Sequence, residues 1–238
     1  MQLLKPIIGD ICGSIYEWTD KVSERPKELM LENCTFTDDT VCTIAIADAI
    51  NNDFVRPDFD RYLNRWFMKY PNRGYGKRFV NWCLGEGPGD SYGNGCCMRM
   101  YPISIFYTEP FIRMSKLADS CAGSHRHQES FYAMFRLDAA IHKVIESRPY
   151  KGYFEDIRKQ ELDATCAKTV DVAIAIGSCA ESFEDCIKDA IYVGGDTDTI
   201  ACMACMVTEH NPSKELEDWA MSKLPIDMRK VIEKFEEQ

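Results

Sequence analysis

The sequence predicts an all-α fold, and three observations carry that reading. Apolar residues recur at helical spacing along the chain, in segments opened by a capping residue or proline and closed by glycine or proline. No pair of alternating apolar–polar runs flanks a hairpin turn. The apolar stretch around 172–176 is long and alanine-rich, which favours a helix over a buried strand. The pattern gives about a dozen helices and no strand.

In order, Gly9, Gly13 and Glu17 recur every four residues, one face of a helix spanning 7–20. Two glycines on that face allow close approach, either by a ligand or by another helix. Residues 23–32 are polar, contain Pro26 and form a loop. Thr37 or Asp38 caps a helix running to about Ile50. Pro57 opens the next helix, which reaches Tyr70 with Phe59, Tyr62, Leu63, Trp66 and Phe67 on one stripe. A short helix spans 77–84 and ends at a glycine-rich segment, 85–89. Gly93-Asn94-Gly95 is a tight turn feeding a helix N-terminus, where free N–H groups can hold phosphate, although Asn-Gly is also an ordinary turn. Helices follow at 110–121 and from 128 to about 146, with a loop at 148–152. Further helices cover 163 to about 180, 182–193 with Ser182 and Asp185 as a partial capping box, and 200 to about 208. The last two start near Pro212-Ser213 and Asp227.

The chain of 238 residues has no linker or low-complexity tract, so one domain over 1–238 is expected. A net charge of −10 argues against a nucleic-acid track and requires local help for any anionic ligand. The N-terminus lacks the pattern of a signal peptide, and no apolar run has the length of a membrane span. The 12 cysteines then read as reduced thiols of a cytoplasmic protein. Cys202 and Cys205 form a CxxC inside an apolar run, and Cys96-Cys97 stand side by side. Both pairs read as small buried hydrophobes.

Two stretches carry the chemistry. Gly194-Gly195-Asp196-Thr197-Asp198-Thr199 and Thr37-Asp38-Asp39-Thr40 each place carboxylates and hydroxyls at the mouth of an apolar helix. One Asp there suits the helix dipole, but adjacent carboxylates repel unless a cation lies between them. Asp196 and Asp198 would diverge by about 200° on a regular helix, and Asp38 and Asp39 by about 100°. If the first pair serves one site, the glycines must bend the chain. An all-oxygen set selects Mg²⁺ or Mn²⁺ over Zn²⁺, and two such turns together suit a two-metal hydrolase, a phosphatase as well as a glycosidase. His125 and His127, at i, i+2, are in themselves more often caps or backbone partners than metal ligands.

The motifs GDICGSIYE at 9–17, FTDDTVCTIAIADAI at 36–50, GYGKRF at 74–79, YGNGCCMRMYPI at 92–103, SHRHQE at 124–129 and GGDTDTIA at 194–201 occur in this order. With them the chain resembles the ADP-ribosylglycohydrolases. The resemblance implies a compact all-α domain with a binuclear Mg²⁺ or Mn²⁺ site in a central cleft. It implies hydrolysis of the glycosidic bond that joins ADP-ribose to a modified protein or small molecule. It further implies Thr37, Asp38, Asp39, Asp196, Asp198 and Thr199 as metal ligands, with Glu17, Asp39 and Asp198 catalytic. Gly93, Asn94 and Gly95 would hold the diphosphate and ribose, and His125 would help to seat ADP-ribose. His127 and Thr197 receive no role. The segment between Glu17 and Phe36 is short for the family, where acceptor-recognition loops can reside, and Cys96 and Cys97 replace the usual small residues. Two other readings are a non-catalytic ADP-ribose-binding or structural member of the fold, and a two-metal phosphohydrolase.

Overall fold

The computed structural model describes residues 1–147, 149 and 152–238. The expected loop at 148–152 lies mostly outside the described residues. The helices are α1 (Leu4–Gly13), α2 (Asp38–Asn52), α3 (Phe59–Lys69), α4 (Lys77–Cys83), α5 (Gly95–Met98), α6 (Tyr101–Phe106) and α7 (Pro110–Ala122). They continue with α8 (Gln128–Ile141), α9 (Tyr153–Arg158), α10 (Cys166–Cys179), α11 (Phe183–Val193), α12 (Thr197–Val207), α13 (Lys214–Lys223) and α14 (Ile226–Glu236). Among the described residues, pairing outside helices is limited to two isolated bridges, Asp90 with His125 and Gly93 with Thr165. No helix among them is long and apolar enough to cross a membrane.

The core is built around α12, every residue of which is buried. Its neighbours reach it through glycine. A Cβ on Gly9 of α1 would lie 2.5 Å from the Ala201 carbonyl oxygen, and one on Gly13 would lie 2.5 Å from the Asp198 Cα. From the other side, a Cβ on Gly177 of α10 would lie 2.5 Å from the Ala204 carbonyl oxygen. The glycine stripe of α1 therefore serves helix packing. Thr197 Oγ1 adds a hydrogen bond to the Gly13 carbonyl at 3.0 Å, a role the sequence reading leaves open. Thus α1 and α12 lie backbone to backbone, and the ends that carry Gly13 and Asp198 meet.

Several boundaries differ from expectation for local reasons. The first helix stops at Gly13 and tightens into a 3₁₀ turn, Ser14–Tyr16. Glu17 follows in extended conformation and Trp18 has φ 53°, so Glu17 leaves the glycine face. Pro57 precedes the cap of α3; Asp58 is the cap and accepts from the Arg61 N–H at 3.1 Å. The helix expected to reach 146 ends at Ile141, and Lys143 then takes φ 55°. The short helix α9 has no counterpart in the sequence reading. The expected caps Thr37 and Ser182 each accept from a first-turn N–H, and so does Ser213 at the start of α13.

Candidate active site

The first acidic turn opens α2. Thr37 caps the helix, and its neighbourhood is fixed by a residue the sequence reading passes over, Asp10 of α1. Asp10 is wholly buried. Its carboxylate accepts from Thr37 Oγ1 at 2.7 Å, from Thr37 N–H at 3.0 Å, from Thr40 N–H at 3.1 Å, and from Thr40 Oγ1. Burial raises its pKa while these four bonds pull it down. Asp10 thus fastens the turn. With the turn fixed, Asp38 and Asp39 diverge as helical geometry requires. Asp39 points inward and is buried, whereas Asp38 is half-buried and lines the cleft beside Gly74.

The second turn opens α12. Gly194 and Gly195 have φ 81° and 84°, a region where a side chain is strained. Asp196 then precedes the helix with φ −79° and ψ 66°, and Asp198 lies in its first turn. The glycine bend brings together carboxylates that a regular helix would splay. Oxygens of Glu17, Asp196 and Asp198 lie within 4.8 Å of one another, as do oxygens of Asp10, Asp39 and Asp198. Asp198 belongs to both triads. Thr199 Oγ1 donates to Asp39 Oδ2 at 3.2 Å and ties the two turns together. Asp38 belongs to neither triad but faces the same cleft.

The electrostatics of this cluster favour a cation. Burial, followed by the charge of Asp10, pushes Asp38 and Asp39 well above the usual carboxylate range. Burial and then Asp39 do the same for Asp198. Glu17 is raised to about 7, by burial first and by Asp196 next. One buried oxygen, Asp39 Oδ1, has no hydrogen-bond partner. A buried carboxylate oxygen without a donor is costly, and a hard cation ligated by oxygens would satisfy it and relieve the mutual repulsion. The residues present therefore fit hard divalent cations.

Through Glu17, Asp38, Asp196 and Thr199 the cluster borders a cleft of about 500 Å³. Its walls carry Gly93, Asn94, Gly95 and His125 together with Lys77, Arg78 and Arg99. The basic residues supply the positive charge that the whole chain lacks. The Gly93-Asn94-Gly95 turn differs from expectation in one respect. The Gly93 N–H donates to Ser91 Oγ at 3.2 Å and the Asn94 N–H to the Ala164 carbonyl at 3.0 Å, so neither is free for phosphate. The helix it feeds, α5, is a single turn of 4 residues. The Asn94 side chain donates to Asp196 Oδ2 at 2.7 Å and to Thr169 Oγ1 at 3.2 Å, joining this loop to the second acidic turn.

His125 is buried, and burial lowers its pKa to about 4, so the ring is neutral near pH 7. Its Nδ1 lies 2.8 Å from Ser124 Oγ, which accepts from Arg99 Nη2 at 2.8 Å. Pairing the buried Ser124 hydroxyl requires it to donate to Nδ1, which leaves Nε2 as the N–H. Nε2 stands 3.0 Å from where a Cβ on Gly95 would lie, so the glycine is what lets the ring close on the loop. His127 caps α8, with Nδ1 accepting from the Glu129 N–H at 3.3 Å.

The structure thus gathers Glu17, Thr37, Asp39, Asp196, Asp198 and Thr199 into one cluster, of which Glu17, Asp196 and Thr199 line the cleft together with Asp38, Asn94 and His125. Asp10 is the addition. Its signal in the sequence is a lone carboxylate inside the apolar run Ile7–Ile11.

Comparisons with known proteins point the same way. The ADP-ribosylglycohydrolase family profile matches residues 6–208. The ADP-ribosylhydrolase ARH3 of Mus musculus is 23% identical over 328 aligned positions, covering 97% of this chain and 86% of the mouse protein. ARH3 of Xenopus tropicalis is 26% identical over 133 positions, covering 44% of this chain and 38% of the frog protein. Among solved structures, an ADP-ribosylglycohydrolase-related protein complex matches with a TM-score of 0.68 at 17% identity, covering 93% of this chain and 95% of that one.

Proposed function

The chain belongs to the ADP-ribosylglycohydrolase family, and on that premise we propose that it hydrolyses the glycosidic bond between ADP-ribose and an acceptor, releasing ADP-ribose. The observation that carries the reading is the pair of carboxylate triads sharing Asp198, beside a cleft with basic walls that Glu17 and Asp196 line. Two divalent cations, Mg²⁺ or Mn²⁺, would be held by Asp39, Asp196, Asp198, Thr37 and Thr199, with Asp38 from the cleft side. When bound, they would supply Lewis acidity toward the vicinal hydroxyls of the distal ribose and toward the attacking water.

The remaining work falls to this chain's own groups. Glu17, in contact range of Asp196 and Asp198 and open to the cleft, is placed to move a proton at the water or at the departing acceptor. Lys77 and Arg78 offer charge to the diphosphate. His125, held neutral with Nε2–H as the donor, offers one directed hydrogen bond without adding charge. Asn94 keeps the sugar-binding wall and Asp196 in register. A single domain spanning 1–238 and an ADP-ribosylated protein or small molecule as the partner complete the proposal.

The test is a panel of arginine-, serine- and nucleotide-linked ADP-ribose conjugates assayed with Mg²⁺ and Mn²⁺. Free ADP-ribose should appear, and chelator or Asp38→Ala should abolish it. AMP as the product would instead establish a phosphohydrolase. No turnover, with ADP-ribose still bound, would establish a binding protein.

A further inference from the structure

Behind the loop that carries Asn94, three thiols from two segments converge. Cys96 and Cys97 lie on α5, and Cys166 is the first residue of α10. Cys96 Sγ is 3.9 Å from Cys97 Sγ, Cys97 Sγ is 4.0 Å from Cys166 Sγ, and all three sulfurs lie within 4.8 Å of one another. None is more than 2% exposed. A triangle with these edges has a centre about 2.2–2.5 Å from each sulfur, which matches a zinc–thiolate bond of about 2.3 Å. A fourth donor is at hand. The Gly93 carbonyl accepts from Cys166 Sγ at 3.2 Å and from Cys96 Sγ at 3.9 Å.

The adjacent cysteines read as small hydrophobes in sequence, but the fold turns both sulfurs toward a third from 69 residues away. We propose that Cys96, Cys97 and Cys166 form a site for a thiophilic d¹⁰ cation, Zn²⁺ or its surrogate Cd²⁺, separate from the oxygen-lined centre. Soft thiolates select such ions and reject Mg²⁺. Binding replaces three S–H bonds by three metal–sulfur bonds and releases three protons to solvent. With the neutral Gly93 carbonyl or a water in the fourth position, the loaded site carries one net negative charge. Hydrogen bonds from Cys121, Cys166 and Cys97 hold the Cys96 pKa below the usual thiol range. Contacts with Cys166 and Cys96 push Cys97 up, and contact with Cys96 pushes Cys166 up, so the bound cation itself must drive the loss of the last two protons.

The position of the site has a consequence. It straddles the two segments that form one cleft wall, already joined by Asn94 N–H to the Ala164 carbonyl at 3.0 Å and Cys166 N–H to the Tyr92 carbonyl at 3.3 Å. Loading removes the thiol donors from the Gly93 carbonyl and clamps that wall. An effect on ADP-ribose affinity rests on the proposed function; the site itself does not.

The experiment titrates reduced full-length protein with Cd²⁺ in excess Mg²⁺ and follows thiolate-to-cadmium charge-transfer absorption, which a carboxylate-bound ion does not produce. The band should saturate at one Cd²⁺ per chain and be displaced by Zn²⁺. It should vanish in Cys166→Ser and in Cys97→Ala, each checked for folding by circular dichroism, and persist in Cys205→Ala. If Cys166→Ser does not fold, Cys97→Ala decides. Absence of the band, or its survival in the folded variants, overturns the site and leaves a packed thiol cluster only.

Discussion

The two acidic turns open helices in the same way, yet they are built by opposite means. The turn at Thr37–Asp39 is held by side chains: Asp10, buried in the neighbouring helix, accepts from two hydroxyls and two N–H groups. The turn at Asp196–Thr199 is held by backbone: two glycines at φ 81° and 84° set its path, and Asn94 fastens Asp196 from outside. The first turn is therefore vulnerable to losing one carboxylate, and the second to gaining one methyl group.

The largest expected effect breaks the first turn. Asp10→Ala removes the carboxylate that accepts from two hydroxyls and two N–H groups and should cost about 3–5 kcal/mol in urea denaturation. A loss under about 1 kcal/mol would mean that Asp10 does not hold the turn.

Joining the two turns through a cation comes next. Each Mg²⁺ or Mn²⁺ ion bound at a hundredfold excess over its dissociation constant should add about 2.7 kcal/mol to the wild type. Asp198→Asn, which removes the carboxylate common to both triads, should lose that gain. It should also be more stable than the wild type in chelator, because a repelling charge is gone. The second turn responds to Gly195→Ala, where a Cβ would meet Leu162 Cβ at 2.8 Å in a left-handed conformation; a cost of about 2 kcal/mol is expected.

The comparison explains what the sequence reveals and what it conceals. Both turns were legible because their functional groups are contiguous: Thr37-Asp38-Asp39 and Gly-Gly-Asp-Thr-Asp-Thr each announce oxygen ligands and, in the second, the means to bend. The backbone-built turn carries its support within itself. The side-chain-built turn draws on Asp10, 27 and 30 residues away from its partners, and a single Asp in an apolar helix advertises no partner. Glu17 was misplaced for a related reason. Periodicity extends a helix through Glu17, but the packing of Gly13 against Asp198 ends it, and only the tertiary contact shows that. The helical segments were legible from their caps and stripes. The exceptions are α6, which the sequence reading does not separate from the helix after Gly95, and α9, a short segment whose one buried residue is Ile157, too little to make a period.

A smaller effect comes from pH, where the cleft wall and the carboxylates oppose each other. The folded pKa of His125, about 4, lies below the unfolded value of about 6.5, so the unfolded chain binds more protons in that window. Its contribution is present above about pH 6.5 and lost as pH falls toward about 4. The raised carboxylates act with the opposite sign, since there the folded chain binds more protons and stability falls as pH rises. In saturating Mg²⁺ the carboxylate contribution is suppressed. The difference in unfolding free energy between wild type and His125→Gln should then shrink as pH falls from about 6.5 to about 4. A difference independent of pH would contradict a neutral buried imidazole. The smallest effect is His127→Ala, a lost cap on α8 worth about 0.5–1 kcal/mol and silent in cation binding.

The most direct test of the account is the number of Mn²⁺ ions bound per chain, read by calorimetry or paramagnetic resonance. The wild type should bind two, and Asp198→Ala, which removes the carboxylate shared by both triads, should bind none with comparable affinity while still folding. Two ions retained in Asp198→Ala would contradict the shared centre.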